Sequence, residues 1–95
     1  MVLTPAGALV PTIPRIDESD LRRIASLTAR EHEVLCLLGR GLTNREIAEA
    51  LVVEESTAKC HVARVLTKTG TRNRVEAAVL ILCCELARAG IRPAS

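Results

Sequence analysis

The chain has 95 residues, a formal net charge of +2 and 48% hydrophobic residues, which limits it to one small domain. At this size about 60 to 65% of the unfolded surface becomes buried on folding, so we expect marginal stability and a gain from binding a partner. The sequence contains no Phe, Trp or Tyr. It therefore lacks the stacking platforms of single-strand and RNA-binding modules, whereas duplex DNA remains a compatible ligand.

Cysteine usage predicts a reduced protein. The four cysteines show no C-x-x-C spacing, and the N-terminus has no basic segment ahead of an apolar core. We expect a cytoplasmic protein with no signal peptide and no membrane partner. His32 and Cys36 have a spacing that can hold a metal on a helix, but no second pair accompanies them. We interpret them as surface residues and predict no metal, no cofactor and no enzymatic activity.

Residues 1–25 are predicted to be a linker, because three of the four prolines fall in the first fourteen residues. A short helix at 19–25 is the alternative, with Ser19 or Asp20 as its N-cap. The packed domain is expected at 26–90, with a tail at 91–95.

Four helices are predicted in the packed domain, which makes the fold all-α. Helix starts are marked where Thr or Asn precedes Glu by three residues, at Thr28, Thr43 and Asn73, since each side chain can then accept a hydrogen bond from a free amide of the first turn. Glycines mark the helix ends, where a left-handed residue can end a helix. The helices are expected at about 28–39, 43–51, 55–69 and 73–88.

The charges are sorted along the sequence. Residues 26–55 contain three Arg and six Glu, a sum of −3, whereas residues 56–74 contain five Lys or Arg and no acid, a sum of +5. Such segregation attracts phosphate locally without making the whole surface bind polyanions. The alternative is a basic face that serves only solubility.

The helix at 55–69 carries the prediction of function. Helical spacing predicts a buried stripe of Ala58, Val62, Val65, Leu66 and Thr69. The opposite side has small side chains at its centre and basic or hydrogen-bonding ones at its edges. Such a face can lie deep in a major groove and reach phosphates of both strands. With the helix at 43–51 and a tight turn, this is the layout of a helix-turn-helix DNA reader. The candidate DNA-binding residues on it are Ser56, Thr57, Lys59, Cys60, His61, Ala63, Arg64, Thr67 and Lys68.

Three further DNA-binding candidates lie outside this helix. Asn44 and Arg45 open the helix at 43–51, where free backbone amides and the helix dipole favour a phosphate; an ordinary exposed first turn is the alternative. Arg72 precedes the last helix, where it can hold phosphate or simply keep that end soluble.

The helix at 73–88 has almost no polar face, and one helix of a small bundle cannot bury that much apolar surface internally. We predict a homodimer through this helix, since two-fold symmetric readers match two half-sites. The predicted interface residues are Val75, Ala78, Val79 and Leu82, and Cys83 and Cys84 are assigned to packing at the same interface.

Four blocks of the sequence together resemble the LuxR-type, or GerE-like, DNA-binding domain. They are L-T-x-R-E-x-E-V-L from Leu27, G-L-T-N-x-E-I-A from Gly41, T-x-K-x-H-V from Thr57 and R-x-E-A-A from Arg74. The resemblance runs without a gap from about Ser26 to Leu82. It implies a four-helix domain that binds promoter DNA as a dimer, with the third helix in the major groove and the fourth at the dimer interface.

The resemblance also implies residue roles. Lys59 and His61 would contact the DNA backbone, and Cys60 and Ala63 would occupy positions that vary with operator sequence. Glu54 stands where the family usually has a capping Ser, so that helix end is expected to rely on Ser56 or on less direct capping. Residues 6–11 resemble the linker after a phospho-acceptor receiver domain in NarL/FixJ-group response regulators.

The predicted function is therefore sequence-specific binding of double-stranded promoter DNA for transcription regulation, as the output domain of a response regulator. The predicted partners are DNA, a second copy of the chain and RNA polymerase. Two alternatives stay open: a protein-interaction module that uses the apolar fourth helix, and sigma-factor-like promoter recognition, against which the R-x-E-A-A block argues.

Overall fold

The computed structural model describes residues 16–90, together with the backbone of residues 2–3 and 9–10. Val2–Leu3 (β1) pairs antiparallel with Leu9–Val10 (β2), with Val2 opposite Val10. The sequence does not predict this two-residue ladder. The remainder of the expected linker before residue 16 and the expected tail at 91–95 lie outside the described residues.

The described residues also contain five helices. They are α1 (Glu18–Ala25), α2 (Ala29–Gly39), α3 (Asn44–Leu51), α4 (Glu55–Thr69) and α5 (Arg74–Arg88). The last four begin and end within one residue of their predicted bounds. The all-α class is confirmed.

Capping boxes explain where α2 and α3 begin. The Thr28 hydroxyl accepts a hydrogen bond from the Glu31 amide at 3.1 Å, and the Glu31 carboxylate accepts one from the Thr28 amide at 2.9 Å. Thr43 and Glu46 form the same reciprocal pair at the start of α3. Each pair satisfies two amides that the first helical turn leaves without partners.

Two helix starts differ from the prediction. The Asn73 side chain accepts a hydrogen bond from the Glu76 amide. The Glu76 carboxylate, however, binds Arg72 instead of the Asn73 amide, so this capping box is half formed. The N-cap of α1 is Asp17, in a complete box with Asp20, and not Ser19 or Asp20. The pattern of Thr or Asn followed three residues later by Glu does not include Asp17, although two aspartates at the same spacing make the same bonds.

One hydrophobic core joins all five helices. α2 packs against α4 and α5, α3 packs against α4, and α1 packs against α4. The buried residues that form the core include Ile24, Val34, Leu35, Leu38, Ile47, Ala58, Val62, Val65, Ala77, Ile81 and Cys84. Because Ile24 belongs to this core, α1 is part of the packed unit.

Two glycines near the end of α2 have different roles. Gly39 lies inside the helix, and a Cβ there would stand 2.7 Å from Ile81 Cγ2, so its lack of a side chain permits the close approach of α5. Gly41 follows with φ of 79°, in the left-handed backbone conformation. Residues with a Cβ adopt this conformation only at a cost in free energy.

Candidate nucleic-acid interface

α4 buries the predicted stripe and exposes the predicted face. Ala58, Val62, Val65 and Thr69 are buried, and Leu66 packs partly buried against the core. Of the candidate DNA-binding residues on α4, His61 is partly buried and the others are exposed: Ser56, Thr57, Lys59, Cys60, Ala63, Arg64, Thr67 and Lys68. The helix therefore presents these side chains together on one accessible side.

The middle of this exposed face is lined by short side chains. Cys60 and Ala63 are both exposed, and Thr67 donates its hydroxyl hydrogen bond to the Ala63 carbonyl at 3.1 Å. The hydroxyl is thus engaged with its own helix. A helix with such a centre can bring its backbone close to base edges in a major groove.

A short turn sets the direction of α4 relative to α3. Val52 ends α3 in the left-handed conformation, with φ of 56° and ψ of 52°, and the Val53 amide donates to the Ala48 carbonyl at 3.0 Å. Glu54 then occupies the N-cap of α4 without any side-chain capping bond. No side-chain hydrogen bond caps this end within residues 16–90, so of the two expectations only less direct capping stays open.

Two of the predicted DNA-binding cations in the basic segment 56–74 are paired within the protein. Lys68 Nζ lies 2.8 Å from Glu31 Oε1, and the Glu31 side chain is only 7% exposed. The bond from Lys68 lowers the pKa of Glu31 to about 2, with a further contribution from the Thr28 amide. The guanidinium of Arg72 lies 2.8 Å from Glu76 Oε2, and the Arg72 amide and side chain hold the pKa of Glu76 below its usual value.

The charges of Lys59 and Arg64 are available to a ligand. Both side chains are exposed, and neither takes part in an ion pair within residues 16–90. They flank the short side chains at the middle of the α4 face. Cations in this position can reach phosphate oxygens on either side of a groove.

The start of α3 is tied to the start of α5. Asn44 accepts a hydrogen bond from the Arg74 guanidinium through its side-chain oxygen, whereas Arg45 forms an exposed ion pair with Glu49 at 3.4 Å. On α4, the Nδ1 atom of His61 is buried without a hydrogen-bond partner in the described part of the chain. Because His61 is partly exposed as a residue, a ligand could contact the ring only through atoms other than Nδ1.

His32 and Cys36 are not simple surface residues. They are both partly buried, with His32 Nδ1 and Cys36 Sγ 3.8 Å apart, and burial raises the pKa of the Cys36 thiol. The expectation of two surface residues is met only in part, because α5 packs over this side of α2, where Cys36 and Ile81 line one crevice. Residues 16–90 contain no cluster of three or more side chains able to hold a metal ion.

The α5 helix exposes part of its apolar surface. Val75 is 68% exposed, Val79 and Leu82 are also exposed, and Ala78 is partly buried. Cys83 and Cys84, in contrast, are buried within the single chain, so their assignment to an interface is wrong: Cys84 faces the protein's own core. Among the described helices, none has the length and apolar character to cross a bilayer.

A short helix, a tight turn and a longer helix with an exposed basic face define a helix-turn-helix domain. Residues 25–81 match the family described as "Bacterial regulatory proteins, luxR family". The chain belongs to this family, and the resemblance stated from the sequence is confirmed.

Curated relatives support the same assignment. The chain is 48% identical over 56 residues to the transcriptional regulatory protein LnrK of Bacillus subtilis. It is 45% identical over 60 residues to the nitrate/nitrite response regulator protein NarL of Escherichia coli, and 43% identical over 56 residues to the DNA-binding transcriptional activator DevR/DosR of Mycobacterium tuberculosis. The matches cover 59 to 63% of this chain but only 26 to 28% of the relatives. The chain thus spans about a quarter of their length.

Proposed function

We propose that this chain is the double-stranded-DNA-binding domain of a transcriptional regulator, with α4 in the major groove. The exposed face of α4 carries the proposal: Cys60 and Ala63 form a short-chain centre, flanked by Lys59 and Arg64, two cations with no ion pair among the described residues. Short side chains let the helix approach base edges, while the cations neutralise phosphates. Membership of a family of bacterial regulatory proteins supports the same function.

The first turns of α3 and α4 supply further phosphate contacts in this proposal. Free backbone amides at the start of a helix favour an anion, and Asn44 and Arg45 stand at the start of α3. Ser56 and Thr57 are exposed hydroxyls in the first turn of α4. The remaining predicted contacts are His61 and Thr67 on α4, and Arg72, which would have to exchange Glu76 for a phosphate.

The proposed assembly on DNA is a homodimer formed through α5. Val75, Val79 and Leu82 expose apolar surface on this helix, with Ala78 between them, and a second copy would remove that surface from water. A two-fold dimer would present two α4 helices to half-sites about 34 to 36 Å apart. Sedimentation of the chain with and without a palindromic duplex measures this assembly.

The origin of the chain in a response regulator is part of the proposal. A relative of this chain is named as a response regulator, and the chain covers only a quarter of that relative's length. We propose an output domain that acts on cytoplasmic DNA, with RNA polymerase as a further partner. The luxR-family match favours this function over sigma-factor-like recognition.

Fluorescence-anisotropy titrations with labelled duplexes at several salt concentrations test DNA binding. The logarithm of the binding constant should fall linearly with the logarithm of salt, with a slope of about −0.9 for each phosphate contacted. Lys59→Ala should weaken binding to every duplex and reduce the magnitude of that slope by about 0.9 for each copy bound.

Arg88→Ala is the matched control. Arg88 is an exposed cation beside a pocket formed by α1, α2, α5 and the segments next to them, with no α4 residue in its lining. Its removal should change neither the affinity nor the slope. The proposal fails if the chain binds no duplex at low salt, and an interaction module with no affinity for DNA would then be the better account. A Lys59→Ala slope equal to that of the unmodified chain would remove α4 as the binding face.

A further inference from the structure

We infer that Lys68 is a positioning residue that holds α4 against the first turn of α2 through Glu31, and that it does not contact phosphate. The inference rests on the proposed DNA-binding function. It departs from the sequence-based prediction, which placed Lys68 among the DNA contacts because it is one of the five cations of the basic segment.

One carboxylate oxygen connects two helices. Glu31 Oε1 accepts a hydrogen bond from Lys68 Nζ at 2.8 Å and another from the Thr28 amide at 2.9 Å. The first bond joins residues 37 apart in the sequence. The same atom thus completes the capping box of α2 and fixes the last turn of α4.

The burial of Glu31 opposes any loss of its ion pair with Lys68. The Glu31 side chain is only 7% exposed, while the Lys68 side chain is 40% exposed. A carboxylate so poorly hydrated is costly without a cation, and the Lys68 bond together with the Thr28 amide keeps the pKa of Glu31 at about 2. Glu31 is therefore ionised near neutral pH, and moving Lys68 to a phosphate would leave it without its counter-charge.

The pair crosses a cleft beside the proposed DNA-binding face. The cleft lies between the first turn of α2 and the outer side of α4, and its lining comprises Thr28, Glu31, Ala63, Arg64, Thr67 and Lys68. Because the pair ties the outer side of α4 to α2, it limits how α4 can rotate about its own axis. Ala63 belongs to both this cleft and the exposed face, so that rotation sets where Ala63 lies. Base contacts depend on that rotation, whereas flexible cations can follow a phosphate through a small shift.

The test compares three variants of the 95-residue chain. Lys68→Met removes the bridging charge, Lys68→Arg restores it, and Arg64→Met is the matched control, since it removes a neighbouring exposed cation with no ion pair in the described residues. Each protein is titrated at several salt concentrations with two duplexes. One is selected by the unmodified chain from a randomised library, and the other is a scrambled duplex of the same length. Circular dichroism establishes that each protein is folded at the titration temperature.

We expect Lys68→Met to lose about tenfold in affinity for the selected duplex, the scale of one disturbed base-pair contact, and about twofold at most for the scrambled duplex. Its salt slope should equal that of the unmodified chain. Lys68→Arg should recover most of the tenfold loss. Arg64→Met should weaken binding to both duplexes and reduce the slope by about 0.9 for each copy bound.

Two results would overturn the inference while leaving the proposed function intact. Equal losses on both duplexes with a reduced slope would make Lys68 a phosphate contact. A lower melting temperature with unchanged affinities would make the pair purely structural. Failure of the unmodified chain to bind either duplex would instead refute DNA binding itself, and the inference with it.

A double variant protects the test against misfolding. Glu31→Gln with Lys68→Met leaves no unpaired carboxylate, and the amide oxygen can still accept the bond from Thr28. Because the bridge is absent in this protein too, we expect the same tenfold loss on the selected duplex. The inference would be overturned if the folded double variant preferred the selected duplex over the scrambled one as strongly as the unmodified chain does.

Discussion

Val52 allows a quantitative test of how the turn between α3 and α4 is built. Its φ of 56° is the one positive φ of a non-glycine residue among the described residues, and this conformation costs an L-residue roughly 1 to 2 kcal/mol. The side chain is 89% exposed. Replacing it therefore forfeits only about a tenth of the ~1.5 to 3 kcal/mol that full burial of a valine contributes, or about 0.2 to 0.3 kcal/mol. Asn tolerates the left-handed conformation, so Val52→Asn should gain about 1 kcal/mol in free energy of unfolding.

Thermal denaturation followed by circular dichroism measures this gain. For a domain of this size, 1 kcal/mol corresponds to a rise of about 4 to 8 °C in melting temperature. Val75→Asn is the matched control, because it removes another exposed valine from ordinary helical backbone in α5, where Val and Asn have similar helix propensities. An unchanged or lower melting temperature for Val52→Asn, or an equal rise for the control, would refute the assignment of strain to this turn.

Three further outcomes are expected. Gly39→Ala should lower the melting temperature, because the new Cβ would stand 2.7 Å from Ile81 Cγ2 and overpacking costs about 1 to 3 kcal/mol. This cost should exceed the gain of about 1 kcal/mol from the higher helix propensity of Ala, and a higher melting temperature would contradict the expectation. The free energy of unfolding should fall as pH drops from 4.5 towards 2, since the pKa of Glu31 is lowered to about 2 in the folded chain and the unfolded state takes up the proton first. In urea titrations, Glu31→Gln should show a smaller fall over that range, and an identical fall would count against the Glu31 pair as its source. Cys60→Gln or Ala63→Gln should change the sequence recovered from a randomised duplex library and leave the salt slope unaltered; recovery of the original sequence would mean that these residues do not face the bases.

The helix bounds could be predicted from the sequence because their signals are local. Thr28 and Thr43 each bind a residue three positions ahead, so the pattern contains both partners. The half-formed box at Asn73 shows the limit of such reasoning. The Glu76 carboxylate accepts bonds from the Arg72 amide and the Arg72 guanidinium instead of the Asn73 amide, and the guanidinium bond joins two ionised groups, which makes it a strong one.

Features that depend on tertiary packing could not be predicted from local sequence patterns. The partner of Lys68 lies 37 residues away, and nothing in the sequence near Lys68 indicates it. The left-handed conformation of Val52 could not be predicted either, because the residue with that conformation at a helix end is usually Gly or Asn. The buried positions of Cys83 and Cys84 follow from how α5 is rotated against the core, which an almost uniformly apolar helix does not encode.

Ion pairs with residues outside the basic segment change the meaning of the charge pattern. The sum of +5 over residues 56–74 counts Lys68 and Arg72, but Glu31 and Glu76 lie outside that segment and form ion pairs with them. Five cations less two paired ones leaves three, which are Lys59, Arg64 and Arg74, the last bound to an uncharged side chain. If only these three cations of the segment contact phosphate, the segment contributes about −2.7 to the salt slope for each copy, compared with about −4.5 if all five do. In the proposed DNA complex, Glu31 and Glu76 would therefore remove charge that favours any duplex, and would leave a larger share of the affinity to the residues that face the bases.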